Sequence, residues 1–167
     1  MGELDAWRYC PRCGEAIEKT VSEVRCGACG FRVWAKPAPG TEAVILDDRG
    51  RVLLGRRAFD PAAGLWDLPG GFLEENEDPL AALHREVREE TALDIDVLRF
   101  VGFYLEPYDN RTVLCITWLA HARGETATPG DDLVELQWFE QDELPLEELA
   151  FSHYRQALSD ALRDAHA

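Results

Sequence analysis

At 167 residues, with 46% hydrophobic and 29% charged positions, the chain has room for one full domain with its own core and a small appendage. A net charge of −15 and a pI of about 4.6 argue against a general DNA- or RNA-binding role, since such a surface repels a phosphate backbone. No run approaches the roughly 20 apolar residues that cross a bilayer, and the opening Met1-Gly2-Glu3-Leu4-Asp5 has no apolar run of a secretory leader, so no membrane partner and a cytoplasmic location are expected.

Four of the five cysteines stand near the start as two C-x-x-C pairs, Cys10/Cys13 and Cys26/Cys29. For a cytosolic chain this is metal-ligand spacing, not a disulfide framework. Gly14 and Gly30 follow the pairs, supplying the positive φ of tight turns and letting backbone N–H groups approach the sulfurs. Trp7 to Trp34 reads as a two-hairpin module, with Glu18 to Arg25 as its return strand. Lys36-Pro37-Ala38-Pro39-Gly40 is a proline-spaced link, which divides the chain into residues 1–36 and 37–167.

Beyond the link, strand and helix signals alternate. Ala43–Leu46, the turn Asp47-Asp48-Arg49-Gly50 and Arg51–Leu54 predict a hairpin. Leu65–Leu68 predicts a short strand stopped by Pro69-Gly70-Gly71. Asp78-Pro79 opens a helix, Asp as N-cap and Pro at the first helical position, with Leu80, Leu83 and Val87 as its buried stripe. Strands are expected over Ile95–Tyr104, Thr112–Ala120 and Glu135–Phe139, and a last helix from Ser152 to Asp164. Strands with two well-separated helices indicate an α+β or mixed-sheet sandwich.

The chemistry concentrates on the first helix. At about 100° per residue, Glu86 and Glu90 share one face a turn apart, and Glu89 lies about 60° from Glu86. Like charges at this spacing cost about 0.2–0.5 kcal/mol per pair, more where desolvated. Arg85 and Arg88 offset part of that; divalent cations would offset more, and hard carboxylate oxygens favour Mg²⁺ or Mn²⁺ over zinc. Such cations would also reconcile an acidic protein with a phosphorylated substrate. The glycines just ahead of the helix let backbone groups approach a metal or phosphate. An ordinary charged surface helix is the competing reading for any one Glu pair.

The whole stretch resembles the Nudix pattern G-x5-E-x7-R-E-U-x-E-E-x-G-U, with Gly71, Glu77, Arg85, Glu86, Val87, Glu89, Glu90 and Leu93 in register. Ala92 departs from it: the pattern has glycine there, for a left-handed helix end that alanine adopts at a cost of about 1 kcal/mol. The resemblance implies an α+β fold, a mixed sheet in an α/β/α sandwich, and metal-dependent hydrolysis of a nucleoside diphosphate derivative. It implies Glu86 and Glu90 as principal metal ligands with the Gly70 carbonyl, and Glu89 sharing a cation or positioning water. Glu77 and Arg85 become a structural ion pair beside Gly71. A further acidic residue from a late loop would be Asp132 or Glu135, Asp132 preferred.

The N-terminal module resembles a zinc ribbon, with Cys10, Cys13, Cys26 and Cys29 as a tetrahedral thiolate set. So short a segment has little core, and zinc would supply its folding energy. A ribbon joined to a Nudix domain is similar to NADH pyrophosphatases and to enzymes cleaving FAD or ADP-ribose. The Ser-Gln-Pro-Trp-Pro-Phe-Pro stretch of the NADH enzymes is missing at Val101–Pro107, while Gly64–Gly71 and Leu149–Ser152 look more like the ADP-ribose and FAD type. ADP-ribose or FAD hydrolysis, releasing AMP, is thus the leading expectation and NADH hydrolysis the alternative. A non-catalytic nucleotide-sensing or RNA-binding module is the alternative of another class, which the intact carboxylates and the negative charge disfavour. Related enzymes are commonly dimers, so a homodimer is allowed.

Other residues carry weaker signals. Arg56 and Arg57 are candidates for the substrate's distal phosphate or ribose. Trp66 and Phe72, with Tyr104 and Tyr108, are candidates to stack an adenine or flavin ring, with core packing the equal alternative. Cys115, in an apolar strand, reads as a buried inert thiol. His84 reads as a partly exposed helix residue, and His121 and His153 have no recognisable partner spacing.

Overall fold

The structure, a computed structural model, describes residues 3–124 and 126–163. The expected end of the last helix, Asp164, lies outside them. The chain forms two compact units, one of residues 1–38 with 107–113 and one of residues 39–106 with 114–167.

In the first unit, β1 (Glu18–Lys19), β2 (Glu23–Arg25) and β3 (Arg32–Trp34) form an antiparallel sheet in that order. The single return strand expected over Glu18–Arg25 is in fact a hairpin. Thr20 breaks it: its Oγ1 accepts the N–H groups of Ser22 and Glu23 at 3.3 and 3.1 Å, a side-chain turn that competes with the ladder. The two glycine turns form as expected, with Gly14 at φ 79° and Gly30 at φ 72°. Their N–H groups bond the carbonyls of Cys10 and Cys26 at 2.9 and 3.0 Å.

The second unit is built on a mixed sheet in the order β10-β5-β4-β9-β8, formed by β4 (Ala38–Leu46), β5 (Val52–Arg57), β8 (Asp94–Tyr108), β9 (Arg111–Arg123) and β10 (Leu133–Phe139). Two short strands pair onto it, β6 (Trp66–Asp67) on β5 and β7 (Gly70–Phe72) on β4. The Ala38-Pro39-Gly40 part of the expected link thus belongs to β4, and the expected stop at Pro69-Gly70-Gly71 is the entry to β7.

Alternation along β4 explains the layers. Val44 and Leu46 point to one face, where they pack with Leu54, Leu68, Tyr154, Leu158 and Ala161; Tyr154–Leu162 is helix α2. Ala43 and Ile45 point to the other face, against Leu53, Leu83 and Val87; Pro79–Thr91 is helix α1. With a helix on each face, β4 and β5 bury both their sides, which is why they read as near-continuous apolar runs.

Helix α1 begins as its sequence requires. Asp78 Oδ1 accepts the N–H groups of Leu80 and Ala81 at 2.9 and 3.3 Å, and Pro79 fills the first helical position. Leu80, expected in the buried stripe, is exposed; Ala82, Leu83, Val87, Glu90 and Thr91 are the buried positions. At the other end Ala92 takes the left-handed conformation, φ 59° and ψ 12°, with its N–H on the Arg88 carbonyl at 3.0 Å. The next orphan carbonyls are capped from afar: Gly130 N–H bonds Glu90 O at 3.0 Å and Thr128 N–H bonds Thr91 O at 2.9 Å.

Candidate active site

Side chains one turn apart on α1 land on consecutive glycines of β7. Glu90 Oε2 accepts the Gly70 N–H at 2.9 Å. Glu86 lies over the α-carbon of Gly71 so closely that a Cβ there would sit 2.4 Å from its carboxyl carbon. Gly70 is equally confined: a Cβ there would meet the Thr41 carbonyl oxygen at 2.2 Å and Glu42 Cα at 2.6 Å. Two adjacent positions without side chains are thus what let the helix carboxylates close onto the sheet.

Arg85 organises the rim. Its guanidinium donates Nε to Glu77 Oε1 at 2.9 Å and one terminal nitrogen to Glu77 Oε2 at 2.8 Å, a bidentate pair. It also reaches Glu86 at 2.8 Å, Glu89 at 3.1 Å and the Phe72 carbonyl at 3.3 Å. One cation therefore fixes the Glu77 loop, the strand of Phe72 and two helix carboxylates. Hydrogen bonding from Arg85, with the Glu74 N–H, holds the Glu77 carboxyl down at about 2.

Glu90 is in the opposite condition. Burial, above all, and then the charges of Asp67, Glu86 and Asp132 push its acid up to about 9, against the Gly70 N–H. Burial also raises Glu86, with Arg85 opposing and Glu89 and Glu77 adding to the rise. Glu89 is the outer of the three, its side chain 44% exposed. Carboxylates gathered in excess of their cations, with oxygen-only ligands, suit a hard divalent ion.

The late-loop acids separate. Asp132 lies near enough for its charge to act on Glu90, and its carbonyl anchors the Ala58 N–H at 2.7 Å. Glu135 instead pairs with Arg56 at 3.1 Å across β10 and β5. Arg56 in turn lies over the Trp66 ring at 4.7 Å. Two substrate-binding expectations meet physical obstacles. Trp66 is buried in the core, edge-on to Phe139, with no free face for a base. Arg57 is held by an ion pair with Asp67 and by a 2.7 Å bond to the Pro61 carbonyl. Phe72 is exposed beside the glycines, and Tyr104 donates its hydroxyl to Asp160 at 2.9 Å. His84 is exposed, and His121 meets Asp48 at 3.1 Å.

Asp67 is an acid the sequence reading did not single out. It is buried between Arg57 and the Tyr154 hydroxyl, burial raises its carboxyl, and its charge reaches Glu90. An aspartate in the middle of a short apolar strand was the available signal.

In the first unit the cysteine sulfurs pair at 3.6 Å, Cys10 with Cys29 and Cys13 with Cys26, and all four lie within 4.8 Å of one another. Two sulfurs on one tetrahedral zinc stand about 3.8 Å apart for a Zn–S bond of about 2.3 Å, so both 3.6 Å pairs are close to that spacing and the set suits zinc. Burial works against the Cys10 thiolate, but N–H groups of Arg12 and Cys13 outweigh it and bring the thiol to about 7.

The NUDIX domain family model matches residues 36–160. An ADP-ribose pyrophosphatase of Methanocaldococcus jannaschii is 35% identical over 125 residues, covering 74% of this chain and 72% of that one. A protein of Haemophilus influenzae named NAD-capped RNA hydrolase NudC is 30% identical over 152 residues, covering 87% of this chain; the chain spans only 56% of that relative's length. A NUDIX hydrolase structure from Nitrosomonas europaea superposes with a TM-score of 0.82 over 96% of this chain and 93% of that one; at 23% identity it speaks for the fold alone. With the family model over most of its length and the glutamate helix closed onto paired glycines, the chain belongs to the Nudix hydrolases.

Proposed function

We propose that this protein hydrolyses the diphosphate linkage of a nucleoside diphosphate derivative, with ADP-ribose or FAD as substrate and AMP as a product, in a Mg²⁺- or Mn²⁺-dependent reaction. The observation that carries this reading is the buried carboxylate of Glu90, whose Oε2 accepts the Gly70 N–H, with the charges of Glu86 and Asp67 acting on it. Glu86 and Glu90, with the Gly70 carbonyl, would hold the cation. When bound, the cation supplies charge neutralisation of the diphosphate and a lowered pKa for the attacking water. Glu89 and Asp132 stand at the open side, where a carboxylate can orient that water and take its proton. Arg85 keeps Glu86 and Glu89 in place, and Gly71 leaves room for the Glu86 carboxylate to lie against the strand. The resemblance to an ADP-ribose pyrophosphatase over 125 residues supports this substrate class. The four-cysteine cluster would hold a structural zinc, and a cytoplasmic location fits reduced thiols.

The similarity to NudC favours a second reading, hydrolysis of NAD(H) or of an NAD-type cap on RNA. The −15 charge weighs against tight binding of an RNA body. AMP release from ADP-ribose, FAD, NADH and NAD-capped RNA, each with Mg²⁺ and with Mn²⁺, separates these readings. In Glu86→Gln and Glu90→Gln, turnover should fall by more than about 10²-fold with the fold retained, as expected for groups acting on the transition state. Near-normal turnover of both variants at saturating Mg²⁺ would overturn the assignment.

A further inference from the structure

A second set of ligand-type side chains lies on the α2 face of the sheet, where Glu42 points beside Val44. It draws on elements far apart in sequence: Glu42 on β4, Glu106 on β8, Cys115 and Thr117 on β9, and His153 just before α2. All five are more than nine-tenths buried. The ligating atoms of Glu42, Cys115 and His153 lie within 4.8 Å of one another.

The imidazole is held from one side. Glu106 Oε2 lies 3.0 Å from His153 Nδ1 and also accepts the Ser152 hydroxyl at 2.8 Å and the His153 N–H at 3.2 Å. That turns Nε2 towards Glu42 Oε1, 2.9 Å away, and Thr117 donates its hydroxyl to the same oxygen at 2.6 Å. A carboxylate gripping one ring nitrogen while the other faces a carboxylate and a thiol is the arrangement that orients metal-ligating histidines. One nitrogen, one sulfur and one oxygen form a mixed donor set that a hard ion such as Mg²⁺ does not favour and a zinc-class ion does.

We propose that Glu42, Cys115 and His153 form a second, buried metal site for a divalent ion of the zinc class, with Glu106 as the carboxylate that positions His153. Binding releases two protons, one from the Cys115 thiol and one from His153 Nε2, while Nδ1–H stays on Glu106. The charge of the cluster is the same before and after: two carboxylates and an imidazolium sum to −1, as do two carboxylates, a thiolate, a neutral imidazole and a divalent cation. Nitrogen and oxygen on a tetrahedral zinc stand about 3.3 Å apart, so the His153–Glu42 pair is within a few tenths of an ångström of that spacing. The ion would tie β4, β9 and the lead-in to α2 together. Its ligand Glu42 is the register partner of Gly70, the residue that holds Glu90.

The test is metal content, which does not depend on activity. Full-length protein produced with zinc and dialysed against metal-free buffer is expected to carry two zinc ions per chain by mass spectrometry. Cys115→Ser and His153→Gln should each carry one, and a variant in which Cys10, Cys13, Cys26 and Cys29 are all replaced by serine should retain one. In the cobalt-loaded variant in which Cys10, Cys13, Cys26 and Cys29 are all replaced by serine, a thiolate-to-cobalt absorption band should persist and vanish on adding Cys115→Ser. One zinc or fewer in the unmodified protein, or two in Cys115→Ser, would overturn the proposal and leave a protonated His153 as the cation between its two glutamates. The unmodified protein alone decides the first point, so it stands even if a variant folds poorly.

Discussion

Substituting Gly71 by alanine places one methyl group against the carboxylate of Glu86, a proposed metal ligand. The new Cβ would stand 2.4 Å from Glu86 Cδ and 2.6 and 2.7 Å from its oxygens. Carbon contacts settle at about 3.5–4.0 Å, so the carboxylate must retreat by about 1 Å. It is the free end of a flexible side chain, and Gly71 lies in ordinary strand conformation, so the fold should lose little. A displacement of about 1 Å in a catalytic group costs on the order of 10²-fold in rate, or about 2.7 kcal/mol of transition-state stabilisation. The assay is AMP release from ADP-ribose at saturating Mg²⁺, beside a thermal melt. Gly71→Ala should lose about 10²-fold in kcat/KM with a nearly unchanged melting temperature. Because the loss acts through Glu86, adding Gly71→Ala to Glu86→Gln should cost little more. A rate within twofold of the unmodified protein, or full additivity in the double variant, would refute the reasoning.

The neighbouring Gly70→Ala should behave in the opposite way. Its methyl would meet the backbone of Thr41 and Glu42 at 2.2 and 2.6 Å, which cannot move aside, so a loss of ~4 kcal/mol or insoluble expression is expected in a denaturation or solubility assay. Ala92→Gly should stabilise the protein by about 1 kcal/mol, raising the melting temperature by about 2–4 °C, since the left-handed helix end would no longer strain a Cβ. Acid stability should depend on Glu77. Its folded pKa of about 2 lies below the ordinary 4.5, so its contribution is present above the unfolded value and is lost as pH falls from there towards 2. Glu77→Gln should therefore narrow the gap in melting temperature between about pH 6 and about pH 3; an unchanged gap would show that the Arg85 pair is not felt by the fold.

Features written in neighbouring residues were legible in the sequence. The start of α1 follows from Asp78 and Pro79, the strands β4 and β5 from apolar runs around an Asp-Gly turn, and both ribbon knuckles from C-x-x-C-G. What pairs across the fold was not legible. Leu80 has the helical spacing of a core residue, yet it sits in the first turn beside an open cavity lined by Phe100, Phe103, Ile116 and Trp118, and stays exposed. The roles of Trp66 and Arg57 stayed open in the sequence because neither their chain neighbours nor their periodicity announces Phe139 or Asp67 as partners. His153 seemed solitary in sequence, but its partners lie 47 and 111 positions away. The one local hint was Glu42 itself, a charged residue inside an otherwise apolar strand.

The loop amides on the last carbonyls of α1 have an evolutionary corollary. Thr128 and Gly130 tether the segment that carries Asp132 to the very turn that carries Glu90, and a Cβ on Gly130 would strike the Glu89 carbonyl at 2.4 Å. Insertions or deletions between those anchors would detune both acids together. Lineages that drift towards new leaving groups are therefore expected to accept length changes elsewhere, and to keep this short span constant in length.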